Sequence, residues 1–171
     1  MNGWPVTLSQ EELEIAALVG CRRRAESKAQ GRSDNHGLEK SDFWGLDIEG
    51  AAAEMAYCKF RNQFWSGSVN SFKGADCGEN VQIRSTPHKN GSLIIRAEDS
   101  DNDFYVLLVG AAPTFNVCGW IPGARGKDEE FARAPNGRPP AYFIPQHKLN
   151  PFKSGADKTP KTSKTPGNVS I

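Results

Sequence analysis

Residues 79–110, ENVQIRSTPHKNGSLIIRAEDSDNDFYVLLVG, carry the change from helical to alternating periodicity on which the fold turns. In Val81-Gln82-Ile83-Arg84 the apolar pair faces one side and Gln82 and Arg84 face the other, the pattern of a half-buried strand. Asn90-Gly91 then precedes Ser92-Leu93-Ile94-Ile95-Arg96. That dipeptide suits a type I′ turn, which needs positive φ at both central residues, so the two runs are expected to form a tight antiparallel hairpin. Phe104 to Val109 is apolar almost throughout, which marks a central strand covered on both faces. Further on, the pattern predicts a strand over Phe115–Ile121, a short polar helix near Lys127–Arg133 and a last strand at Ala141–Ile144.

Upstream, the period is helical. Ser9 with Glu12 three positions later is a capping-box signature, and Leu13, Ala16, Ala17 and Gly20 follow at helical spacing, predicting a helix to about Gln30. Arg22, Arg23, Arg24 and Lys28 near its end read as a solvated basic terminus that complements the helix dipole, or as phosphate contacts. The polar stretch at 31–37 reads as a loop. Ile48, Ala52, Ala56, Phe60 and Phe64 form an i+4 row, predicting a second helix from Ile48 to Phe64. Glu54 lies off that row among Gly50, Ala51, Tyr57 and Cys58, two of them small enough to let another element approach closely.

The chain has 171 residues, 37% hydrophobic and 24% charged, which suits one globular domain able to bury a core. A net charge of +1 gives no global attraction to nucleic acid or membrane, so any binding surface is expected to be local. No apolar run approaches a membrane span, and the first residues lack a signal-peptide pattern, so a cytoplasmic protein is expected. Cys21, Cys58, Cys77 and Cys118 are unevenly spaced without a C-x-x-C pair and read as reduced, mostly buried thiols. Beyond Phe152 the Lys/Thr/Pro/Ser-rich tail is expected to be disordered.

Ala75-Asp76-Cys77-Gly78 followed by Gln82-Ile83-Arg84, after a helix bearing Glu54, resembles the PD-(D/E)XK nuclease superfamily. The flow from residue 75 to 110, and later Ala141–Leu149, is similar to small phage and bacterial members of that group. The resemblance covers about residues 47–145. It implies an α+β sandwich, with a restriction-endonuclease-like mixed β-sheet core and flanking helices. The expected division is an N-terminal helix and loop at 1–46, a core at 47–152 and a tail at 153–171.

Carried over residue by residue, the resemblance makes Asp76 the principal metal ligand, Glu54 the helix carboxylate, Gln82 the motif's Asp/Glu and Arg84 its lysine. These four would be the catalytic residues, with Asp76, Glu54 and Gln82 holding Mg²⁺ or Mn²⁺, a hard cation that takes oxygen ligands and activates water. DNA is the implied partner, in a bacterial or phage-infected cell, with a homodimer as an option, no membrane and no small-molecule cofactor. Two departures from the motif have chemical consequences. Gln82 offers an oxygen without its charge, and Arg84 can steady a phosphate but stays protonated and cannot act as a base.

Lys73, His88, Lys89, Arg96 and Gln146 are candidate nucleic-acid contacts, with Arg125, Lys127, Trp65 or Trp120 at the groove's edge. Each has a plainer reading, as a solvated cation, a turn residue or a core Trp. The four motif residues have one too, an ion cluster in which Arg84 pairs with Asp76 or Glu54. The functions left open are a metal-dependent deoxyribonuclease, an impaired nuclease-fold protein that binds DNA, and a protein-interaction module. Asp99, Asp101 and Asp103 alternate like the opening of a calcium loop, but Phe104 and Gly110 stand where Gly and Glu are required, which leaves an acidic turn.

Overall fold

The computed structural model describes residues 3–31, 43–69, 75–134 and 139–153. Lys73, most of the 31–37 loop and the tail from 154 lie outside them. The elements run β1 (Trp4–Thr7), α1 (Gln10–Ala29), α2 (Phe43–Phe60), β2 (Val81–Thr86), β3 (Leu93–Arg96), β4 (Phe104–Ala111), β5 (Thr114–Pro122), α3 (Gly123–Gly126), β6 (Ala132–Arg133) and β7 (Ala141–Ile144). Helices and sheets are mixed, an α+β architecture. A four-stranded sheet is ordered β1-β5-β4-β2, and a three-stranded sheet β3-β7-β6. Among the described residues no helix is long and apolar enough to cross a membrane.

Strand β4 is central, as its composition predicts: Phe104 to Val109 are all buried between antiparallel β5 and parallel β2. One face of this sheet packs Val81, Ile83, Val106 and Leu108 against the alanines of α2. The other packs Tyr105, Leu107 and Val109 against Leu93, Ile95 and Ile144 of the second sheet.

The expected hairpin does not form. Strand β2 pairs with β4 in parallel, whereas β3 crosses to the second sheet and pairs antiparallel with β7. Nor is the type I′ turn present: the Gly91 N–H donates to His88 O at 2.8 Å, so the turn centres on Lys89-Asn90, and neither Asn90 nor Gly91 has positive φ. A turn fixes where the chain reverses, not which strand accepts the ladder bonds, and β4 offers β2 a longer buried apolar partner. The span 127–133, where a short polar helix is expected, holds a single 3₁₀ turn over Glu129–Phe131 and β6, and the helical turn α3 ends just before it at Gly126.

Helix α1 has the expected capping box, in which Ser9 Oγ accepts from the Glu12 N–H and the Glu12 carboxylate accepts from the Ser9 N–H. Its buried row is Ala16, Gly20 and Arg24. Gly20 lies on the backbone of α2, where a Cβ would stand 2.6 Å from Ile48 Cα, so only glycine permits this crossing. Arg23 and Arg24 thereby turn inward, while Arg22 and Lys28 stay exposed.

Helix α2 starts earlier and stops sooner than its apolar row suggests. Asn62, at φ 51°, adopts the left-handed conformation. The Asn62 N–H bonds to Lys59 O and the Gln63 N–H to Cys58 O, closing the helix in a Schellman motif and leaving Phe64 90% exposed. Ala51 to Cys58 are buried on every side. The 46/47 division falls inside α2, and both β1 and α1 from the N-terminal segment contribute to the core cluster.

The thiol reading is corrected at one pair: Cys58 and Cys77 form a disulfide, with Cα atoms 6.1 Å apart and 19 residues of separation. A loop of that size contributes about 3 kcal/mol by chain entropy. Cys21 and Cys118 are free.

Candidate functional site

Asp76 lies along the free edge of β2. Its N–H donates to Val81 O, and its Oδ2 accepts from the Ile83 N–H at 2.6 Å, so the carboxylate occupies a ladder position that no strand fills. Glu54 reaches the same region from α2. Its two oxygens accept from both terminal nitrogens of Arg23, at 2.6 and 2.8 Å, and Trp65 Nε1 donates to Oε2 at 3.2 Å. Burial opposes the Arg23 charge, but the Glu54 hydrogen bonds and charge outweigh it and raise the pKa of the guanidinium.

The two acids interact. Burial and then the Glu54 charge push the Asp76 carboxyl up to about 7, against the opposing pull of the Ile83 hydrogen bond, Arg84 and Arg23. Glu54, Asp76, Arg23 and Arg84 are therefore one electrostatic cluster, and Arg23 is the member that the sequence reading assigned to a helix end.

Gln82 and Arg84 share a strand face, as their spacing requires, but it is the face turned away from α2. In register they sit beside Tyr105 and Leu107, on the side of the second sheet. Gln82 Nε2 donates to Asp103 Oδ2 at 3.1 Å. Arg84 Nη2 meets Asp99 Oδ2 at 3.0 Å, and its guanidinium lies 5.3 Å from the Tyr105 ring centroid. The acidic turn thus supplies partners to both motif residues, and the ion pairing expected between Arg84 and Asp76 or Glu54 is taken by Asp99 and Arg23 instead. Burial, with Asp99 nearby, pushes the Tyr105 phenol upward.

Among the described residues no group of three or more His, Cys, Asp or Glu side chains could hold a metal. Magnesium often takes only one or two carboxylates and completes its shell with water and substrate phosphate. Asp76 and Glu54 are the two expected ligands that act on one another here, the Glu54 charge adding to burial in raising Asp76, and both Glu54 oxygens are held by Arg23. Gln82, turned to Asp103, does not join them.

The other candidates divide. His88 and Lys89 are exposed, and Arg96 is half-buried. Gln146 Nε2 donates to Lys89 O and Gly91 O, so it staples the 88–91 turn. Arg125 pairs with Asp128 and Glu130 at the surface, whereas the largely buried Lys127 pairs with Asp101 and donates to Ala97 O and Asp99 O, tying the end of α3 to the acidic turn. Trp120 packs edge-on against Phe104 and its backbone pairs with Asn150. Glu79 is exposed.

Compared with protein-family models, curated proteins and solved structures, the chain matches none.

Proposed function

We propose that the chain is a metal-dependent deoxyribonuclease with a restriction-endonuclease-like core, in which Asp76 and Glu54 take Mg²⁺ or Mn²⁺. The observation that supports this reading is that two carboxylates share one cluster, where burial first and the Glu54 charge second lift Asp76 to about 7. A bound cation would supply Lewis acidity toward a phosphodiester. The chain's own residues have separate tasks. Asp76 is held at the strand edge by the Ile83 N–H, Arg23 holds Glu54 until a cation competes for it, and Arg84, paired with Asp99 on the other strand face, acts on Asp76 through its charge alone.

The bidentate Arg23–Glu54 pair and the Gln82–Asp103 bond favour a second reading, a nuclease-like protein that binds DNA without cutting it. Supercoiled and linear DNA incubated with Mg²⁺ or Mn²⁺ separates the two, using Asp76→Asn, which keeps an acceptor for Ile83, as the control. Cleavage that disappears in the variant supports the nuclease. Salt-sensitive binding without cleavage supports the second reading. Neither binding nor cleavage sinks both and leaves a protein-interaction module.

A further inference from the structure

Along the edges of β2 and β3, on the side away from α2, the end of β2, the 88–92 turn, β3 and β7 line an open cavity of about 550 Å³. Arg84, Arg96 and His88 are among the residues that line it, and no Asp or Glu is, although the Asp99 carboxylate contacts the Arg84 guanidinium. Asp99 organises the pair. One of its oxygens accepts from Arg84 Nη2, which aims that side chain, and the same oxygen accepts from the Arg96 backbone N–H at 2.9 Å. Among the described residues the Arg96 guanidinium has no ion-pair partner of its own.

The hydroxyls of Thr86 and Ser92 lie beside this charge, and the ring of Phe143 with Ile94, 41% exposed, forms an apolar wall. The rim is held in shape, since Gln146 staples the 88–91 turn and a Cβ at Gly91 would stand 2.5 Å from Thr86 Cγ2. Paired guanidiniums and hydroxyls suit a phosphate monoester, whose oxygens accept several charge-assisted bonds, while an aromatic wall suits a base.

We infer that this cavity is a nucleotide site, binding a nucleoside monophosphate with its phosphate on Arg84 and Arg96 and its base against Phe143. The nucleotide is either free or the phosphorylated terminus of a DNA strand, and in the second case the inference rests on the DNA reading above. Arg84 lies on the cavity side of β2 and reaches the acid pair only through its charge on Asp76.

Calorimetry in EDTA, where no cleavage can occur, tests the site independently of nuclease activity. The probes are deoxyadenosine monophosphate, deoxyadenosine, inorganic phosphate, and a short single strand with and without a 5′-phosphate. The monophosphate is expected to bind, deoxyadenosine not to, and Arg96→Ala to weaken binding by about tenfold or more at unchanged melting temperature. Should Arg96→Ala melt early, Ile94→Trp, which fills the cavity from its exposed wall, is expected to give the same loss. Preference for the phosphorylated strand over its hydroxyl-ended twin identifies a strand end as the ligand, and binding of the free monophosphate alone identifies the free nucleotide. Equal binding of monophosphate and deoxyadenosine, inorganic phosphate as tight as the nucleotide, full binding by a folded variant, or no binding of any probe at millimolar concentration overturns the inference.

Discussion

Arg23 on α1 grips both oxygens of Glu54 on α2, at 2.6 and 2.8 Å, and is the countercharge on which the acid pair depends. Removing one member of a largely buried ion pair strands the other. Arg23→Ala is therefore expected to cost about 3 kcal/mol near neutral pH, and less under acid conditions, where Asp76 takes up a proton. Urea unfolding at two pH values measures the difference. If the acid pair takes a cation, Mg²⁺ will restore part of the loss in this variant.

Asp76 makes stability depend on pH in an unusual direction for a carboxyl. Its pKa stands at about 7 in the folded chain, above the ordinary 3.8, so the folded state holds the proton more tightly than the unfolded one. The resulting stabilisation is complete below the ordinary value and is lost as pH rises through about 7. Melting temperature is expected to fall across that window, and Asp76→Asn to flatten the slope. A cation needs the deprotonated form, so Mn²⁺ affinity should rise over the same range.

Restoring the motif acid by Gln82→Glu is expected to fail as a gain of function. The new carboxylate would face Asp103, exchanging a 3.1 Å hydrogen bond for like-charge contact. A loss of about 1–2 kcal/mol is expected, without tighter Mn²⁺ binding. Titration of Mn²⁺ into the folded variant checks this; a clear gain in affinity would place residue 82 with the acid pair after all.

Gly20→Ala tests the geometry behind the Arg23–Glu54 pair. Its Cβ would meet the α2 backbone at 2.6 Å, and backbone cannot step aside as a flexible side chain does. The variant is expected to lose about 2–3 kcal/mol and to lose the sensitivity to Arg23→Ala, which a double-mutant cycle reads directly.

Elements whose own composition sets their burial were legible in the sequence. The capping box announced α1 and the unbroken apolar run announced β4 as central, whereas the close approach expected at Gly50 is not made there, since nothing lies within 4 Å of a Cβ at that position, and the helices cross at Gly20 and Ile48 instead. What escaped depended on long-range choice. Strand β1 is four residues containing Pro5, too short to show a period, and it forms only because β5 offers an edge. The partner of β2 could not be read from Asn90-Gly91, since local turn chemistry carries no information about a strand twenty residues ahead. Arg23 was hidden among four basic residues, and only the crossing at Gly20 selects it. The opposite placement of Glu54 and Gln82 follows from β2 being an edge strand with a helix on one face and a second sheet on the other.

The Asp76–Ile83 bond has a consequence for how such motifs persist. The carboxylate closes an open strand edge that would otherwise invite a second chain, and that duty continues whether or not any phosphodiester is cut. Selection for solubility alone would keep an acceptor at this position after catalysis had gone. An acceptor at position 76 is thus accounted for by architecture alone, and activity has to be read from the groups around it.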